Sequence, residues 1–230
     1  MSNKNVFLNK YFWMTRSEEN YLKTIFHLGG GNSKSITTNA IAEQMETKPS
    51  SVTDMAKKLA EKGLVNYVKY QGVSLSELGI KTALGIIRKH RLWEAFLVDK
   101  LDFTWDEVHE VAEQLEHIKS EKLIDKLDEL LGYPKYDPHG DPIPTKKGEF
   151  QERDKQLLSE LPIGARGVCV GVKDSSTAFL QYLDKHGVSL GKSIHVLGKE
   201  EFDDSLHLKI GDKEHTVSHQ IATNLYLKSE

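Results

Sequence analysis

Cysteine is almost absent from these 230 residues: Cys169 is the one thiol, which excludes an internal disulfide framework and fits a reducing compartment. Long hydrophobic runs are absent too, and no stretch approaches the roughly 18 apolar residues that a membrane span needs. The opening "MSNKNVFLNKYFW" lacks the apolar core and small-residue cleavage site of a secretory signal, so a cytoplasmic location is expected. Neither sign of charge dominates: the formal net charge of −3 argues against a uniformly basic surface but leaves local patches open. No Gly-rich phosphate loop, G-x-S-x-G elbow or H-E-x-x-H motif is found. Proline is sparse, and four of the six prolines fall in "GYPKYDPHGDPIPTKKG", residues 132–148, which nearly excludes helix there and reads as an irregular arm.

What is present divides into three modules of an α+β chain. Residues 1–78 begin with "RSEENYLKTIFHLGGG", whose apolar residues keep a helical period until the glycines. A short helix capped at Thr38 or Asn39, the turn "ETKP", a helix from Ser50 to about Lys62 and two strands around Gln71-Gly72 follow, which is the order of a winged helix-turn-helix. Residues 79–150 read as helical, with one helix over 79–101, a second running from a Thr104 cap to Gly132, and then the arm. Beyond, in 151–230, short β-rich runs separated by Gly and Asp-Asp turns predict a small barrel-like β-domain.

The second helix of the helix-turn-helix presents Ser50, Ser51 and Thr53 at its N-terminal end, behind Lys48 and a first-turn Pro49. In this motif that end enters the major groove, where Ser and Thr can bond bases or phosphates. From Lys48 to Lys69 five lysines (48, 57, 58, 62 and 69) face Asp54 and Glu61, a local excess of +3. Lys57, Lys58 and the wing's Lys69 are the expected phosphate contacts.

A second constellation lies in "WDEVHEVAEQLEHIKSEKLIDKLDEL". On a continuous helix His109, Glu113, Glu116 and His117 fall within about 100° of arc. Nine acidic residues between Asp106 and Glu129 face only Lys119, Lys122 and Lys126, a net −6. Carboxylates at the edge of a buried surface are costly without a compensating cation. His90 and Glu94, spaced i, i+4 on the preceding helix, share a face with Ile87, Leu97 and Leu101 and offer the complement. Imidazole and carboxylate without thiolate suit Mn²⁺ or Fe²⁺ better than a structural zinc site.

The sequences "SEENYLKTIF", "KPSSVTDMAKKLAEKGLV", "IRKHRLWEAFLVDKL" and "VHEVAEQLEHIKSEKLIDKL" together resemble the metal-dependent repressors of the diphtheria-toxin-repressor and manganese-transport-regulator family. The arm and the β-rich module extend the resemblance to its longer members, which carry an SH3-like domain of the ferrous-transport-accessory type. The resemblance implies a winged helix-turn-helix, a helical metal-binding and dimerisation domain and a small SH3-like β-barrel. It also implies a homodimer that binds a palindromic double-stranded DNA operator when loaded with metal. Carried over, one metal site takes His90, Glu113, Glu116 and His117 with Asn20, where the family has Asp or Met. A second draws on Glu94, Asp137, His139 and Asp174, and His109 matches a ligand of the iron-type branch. Two ions per subunit are expected. Glu113, a hard oxygen donor, favours Mn²⁺, with Fe²⁺ as the alternative.

Two other readings stand beside this one. A two-metal carboxylate enzyme would need paired Glu-x-x-His motifs, whereas the chain has Glu113-x-x-Glu116 followed by His117, so no enzyme is expected. A repressor gated by a small organic ligand would bind DNA regardless of chelator, though no organic cofactor and no membrane partner are expected. His186, His195, His207, His215 and His219 read as surface or half-buried histidines, and Cys169 as a buried small hydrophobe in a strand.

Overall fold

The computed structural model describes residues 14–151 and 153–229. Helix α1 (Arg16–Leu28) starts at a reciprocal capping box in which Thr15 accepts from the Glu18 N–H and Glu18 accepts from the Thr15 N–H. It ends at Gly29, as its glycine run requires. Helix α2 (Thr38–Gln44) is capped by Thr37, one residue earlier than the sequence suggests. Helix α3 (Pro49–Glu61) carries proline at its first position and buries Val52, Ala56 and Leu59, one helical stripe. Strands β1 (Val65–Val68) and β2 (Gly72–Leu75) pair antiparallel to form the wing. Gly72 sits at φ +107, and a Cβ there would lie 2.4 Å from the Ile36 carbonyl, so the turn requires glycine. Leu22, Ile25, Ile41, Leu59 and Leu75 fill the core beneath these elements.

Helix α4 (Glu77–Leu101) follows, with the Ser76 hydroxyl accepting from the Gly79 N–H. The long helix expected from Thr104 to Gly132 is instead two: α5 (Val108–Leu115) and α6 (Glu121–Leu130). The chain leaves helix at Glu116, and Ser120 restarts it by accepting from the Leu123 and Ile124 N–H groups through its hydroxyl and carbonyl. His109 and Glu113 therefore share a helix, while Glu116 and His117 lie in the turn after it.

The C-terminal β-module is a six-stranded antiparallel sheet in the order β3-β8-β4-β5-β6-β7, built from β3 (Gln156–Leu157), β4 (Arg166–Val172), β5 (Ser193–Lys199), β6 (Leu206–Ile210), β7 (Lys213–Val217) and β8 (Leu225–Ser229). Bulges interrupt the ladder between Cys169 and Gly171 and between Val196 and Gly198. Helix α7 (Thr177–Lys185), which the sequence reading left out, buries Phe179, Leu180 and Leu183. A four-residue helix, α8 (His219–Ala222), precedes the last strand. Cys169 is buried in β4, and burial pushes its thiol up to about 11, the inert behaviour expected of it.

The chain forms two compact units. The first holds the described residues up to His90 with Gln114–Ile124 and Pro144–Glu149; the second holds Arg91–Glu113, Asp125–Ile143 and the chain from Phe150 on. Among the described residues no helix is long and apolar enough to cross a membrane.

Candidate metal centre and DNA-reading surface

Eight polar or charged side chains are buried among the described residues, and five of them, His90, Glu94, Glu116, Asp137 and His139, are ligands the sequence nominates. Ionisable groups stay inside only when paired or bound to a cation, so what surrounds each one decides its use.

In the first unit the Glu116 carboxylate is completely buried. Lys23 Nζ donates to both of its oxygens at 2.8 Å, and His90 Nδ1 lies 2.7 Å from Oε2. Burial alone would raise the Glu116 pKa, but the bond from His90 and the Lys23 charge more than offset it and hold the carboxyl below its ordinary range. His117 Nδ1 stands 2.5 Å from Glu19 Oε2, with its Nε2 3.8 Å from Glu116 Oε1. The Asn20 amide oxygen is buried with no hydrogen-bond partner, an acceptor left open at this end of α1. Burial pushes the nearby Lys89 amine down, partly countered by Glu19 and Glu116.

In the second unit Glu94, Asp137 and His139 are all buried, and each offers a ligand atom within 4.8 Å of the others. His109 joins them, its Nδ1 3.3 Å from Glu94 Oε1 and its Nε2 3.8 Å from Glu113. Helix α4 carries Glu94, and the arm positions Asp137 and His139. Asp137 Oδ1 accepts from the His139 and Asp141 N–H groups at 2.9 Å each, and the Val172 N–H of β4 donates to the His139 carbonyl at 3.0 Å. His139 Nε2 lies 2.7 Å from the Trp105 carbonyl, and the two rings stack with centroids 6.5 Å apart. Arg91 clamps the arm, donating to Asp141 at 2.9 Å and to the Pro142 carbonyl at 2.5 Å.

The electrostatics of this cluster show a deficit of positive charge. Burial, Glu94 and Asp141 push Asp137 up to about 7 against the opposing pull of Arg91 and His139. Burial would lower His139, but Glu94, Asp137 and the Trp105 carbonyl raise it to about 9. A set of two carboxylates and an imidazole that holds protons this firmly fits a divalent cation with hard or borderline preferences. In the first unit the open Asn20 oxygen beside the buried Glu116 offers oxygen donors that suit a cation, although Glu116 already receives Lys23 and His90.

The Asp174 carboxylate accepts from the Ser176 N–H ahead of α7, and it is not among the atoms that Glu94, Asp137 and His139 bring together. Glu19, Lys23, Arg91 and Trp105 join these networks without a ligand pattern in the sequence to mark them. Glu19 was hidden among first-turn acids that any helix favours, and the cations carried no ligand signature. The C-terminal histidines behave as expected, with His207 beside Glu200 at 2.8 Å and His186 against Tyr182 and His215.

On the winged helix, Lys48, Pro49, Ser50, Ser51, Lys57 and Lys69 are exposed, while Thr53 is half-buried and donates its hydroxyl to the Pro49 carbonyl. Lys57 pairs loosely with Asp54 at 3.5 Å. Lys58 and Lys62 both reach the buried Glu18, at 3.2 and 2.6 Å. Two of the five lysines counted toward the basic patch are thus partly spent on the protein itself.

Comparison with known proteins gives three adjoining matches. Residues 13–73 match the iron dependent repressor, N-terminal DNA binding domain; residues 76–145 match the iron dependent repressor, metal binding and dimerisation domain; and residues 156–229 match the FeoA domain. The HTH-type transcriptional regulator MntR of Oceanobacillus iheyensis is 31% identical over 143 residues, 62% of this chain and 95% of its own length. The iron-dependent repressor IdeR of Mycobacterium tuberculosis is 33% identical over 154 residues, 64% of this chain and 66% of its own. A solved manganese-dependent transcriptional repressor in complex with manganese superposes with a TM-score of 0.81 at 32% identity, covering 93% of this chain and all of that one. A probable metal transport system membrane protein of Chlamydia trachomatis is 33% identical over 145 residues, 61% of this chain, which spans only 32% of that longer protein.

Proposed function

The chain belongs to the family of iron- and manganese-dependent transcriptional repressors, and from that premise we propose that it is a homodimeric repressor that binds a palindromic operator when loaded with Mn²⁺, or alternatively Fe²⁺. The family is one of regulators and not of enzymes, which sets aside the carboxylate-enzyme alternative. The observation that carries the proposal is the buried, charge-deficient cluster of Glu94, Asp137 and His139 in a chain that also presents an exposed Lys48–Ser51 helix end.

His90, Glu116, His117 and Asn20 would hold one ion, with Glu113 a further candidate ligand, and Glu94, His109, Asp137 and His139 a second. Asp174 is a further candidate for the second set. The bound ion supplies positive charge that relieves the repulsion among buried carboxylates. The chain's own residues do the rest. Helix α1 carries Glu19, Asn20 and Lys23 on the metal side and Glu18 on the side of the DNA-reading helix, so the ordering of one end bears on the other. About 1–3 kcal/mol of coupling between metal and operator suffices for a useful switch. Kinship with DNA-binding regulators supports a cytoplasmic location.

The test is a selection of random DNA duplexes on the purified chain with Mn²⁺ and, in parallel, with chelator. A palindrome enriched only with Mn²⁺ is expected, and Glu116→Gln or His117→Ala should abolish that enrichment while the dimer stays folded. Equal enrichment with chelator would point to a structural His/Glu cluster and favour gating by an organic ligand. No enrichment in either arm would remove the operator reading.

A further inference from the structure

Glu116 is the most deeply buried of the residues proposed to hold metal, and both of its oxygens already receive Lys23 Nζ at 2.8 Å. We infer that Lys23 is an internal competitor for the metal, an ammonium group on α1 that occupies the Glu116 carboxylate and so raises the metal concentration at which this sensor responds. The inference rests on the proposed metal-dependent reading and adds to it the residue that sets the threshold.

Three features of the site argue for competition over support. A carboxylate offers about four lone-pair positions, and here Lys23 takes one on each oxygen while His90 faces Oε2. An ion approaching either oxygen therefore meets a positive charge already in place. Next, Asn20 lies three residues before Lys23, one turn away on α1, and its buried amide oxygen has no partner. A neutral donor beside a cation leaves this wall of the site weakly attractive to a divalent ion. Finally, the competitor is tethered: it acts at a fixed and high effective concentration that does not vary with solution conditions. Its flexible four-carbon stem, already 12% exposed at the side chain, lets the ammonium withdraw to water when an ion displaces it.

The test is calorimetric titration of the full-length chain with Mn²⁺, comparing the wild type with Lys23→Met, Lys23→Gln and Lys23→Arg. The two neutral variants are expected to bind the Glu116 site about tenfold tighter or more, a change of about 1.4 kcal/mol. Lys23→Arg, which keeps the charge, should stay near the wild-type affinity. Unchanged or weaker binding by folded neutral variants would overturn the inference and make Lys23 a support of Glu116. A second measurement needs no variant: the Lys23 ammonium resonance, protected from exchange by its buried contact, should lose that protection as Cd²⁺ is added to the wild type. Persistence of the protected signal in the saturated protein would equally overturn it. Absence of binding heat in wild type and variants alike would instead remove the metal reading itself, an outcome distinct from the others.

Discussion

Glu18 illustrates how much one side chain of this protein does. It closes the capping box of α1 through the Thr15 N–H and, fully buried, pairs with Lys58 of α3 at 3.2 Å and accepts from Lys62, the residue that caps α3, at 2.6 Å. Burial pushes its carboxyl up, but the bonds from Lys62, Thr15 and Lys58 together outweigh burial and leave it below the ordinary value of 4.5. A group with a depressed native pKa adds stability above its unfolded pKa and loses it as the pH falls through the native one. Glu18→Gln should therefore cost about 1–2 kcal/mol in urea denaturation at pH 7, at the modest end because Lys58 and Lys62 keep access to water. The difference from wild type should shrink steadily below about pH 4.5. A gap that stays constant down to acid pH would mean that the charge of Glu18 contributes nothing.

Among the elements, the arm over residues 132–148 has no helix or strand of its own, yet it carries two of the buried ligand candidates. Gly140 fixes its path: φ is +86, and a Cβ would lie 2.1 Å from the Val170 carbonyl of β4. Gly140→Ala is expected to lift the arm from β4 at a strain of about 1–3 kcal/mol and to lose the metal held by Glu94, Asp137 and His139. Equilibrium dialysis with elemental analysis reads this directly, and undiminished metal content together with unchanged melting would contradict it. The arm's irregularity was legible from its prolines, and His90, Glu94 and Glu116 stood out by residue type and spacing, whereas Asp137 and His139 came only with the family resemblance. The break between α5 and α6 was not legible. The apolar period runs on through Glu116 without glycine or proline, and what the sequence does not report is that Glu116, at the break, meets Lys23 and His90, which are distant along the chain. Helix α7 escaped for a related reason, since its Phe179, Leu180 and Leu183 stripe is too short to stand out between strands.

Across the whole molecule, burial groups the chain differently from its sequence modules. The segment Arg91–Glu113 and the arm through Ile143 share a compact unit with the β-module, and no local pattern reports such a grouping. Charge tells a similar story: the +3 excess on the DNA-reading segment is visible in the sequence, whereas the diversion of Lys58 and Lys62 to Glu18 is not. One link inside the second unit has an optical consequence. Trp105 stacks on His139, gives its carbonyl to that ring and donates its indole N–H to Asp184 at 3.0 Å, while Trp93 is buried elsewhere on α4. An ion arriving on His139 would sit within quenching range of the Trp105 indole, so the protein carries its own fluorescent gauge of that cluster. Titration with Mn²⁺ should dim the emission in step with occupancy, Trp105→Phe should weaken the response, and a signal unmoved at saturation would show that His139 receives no metal.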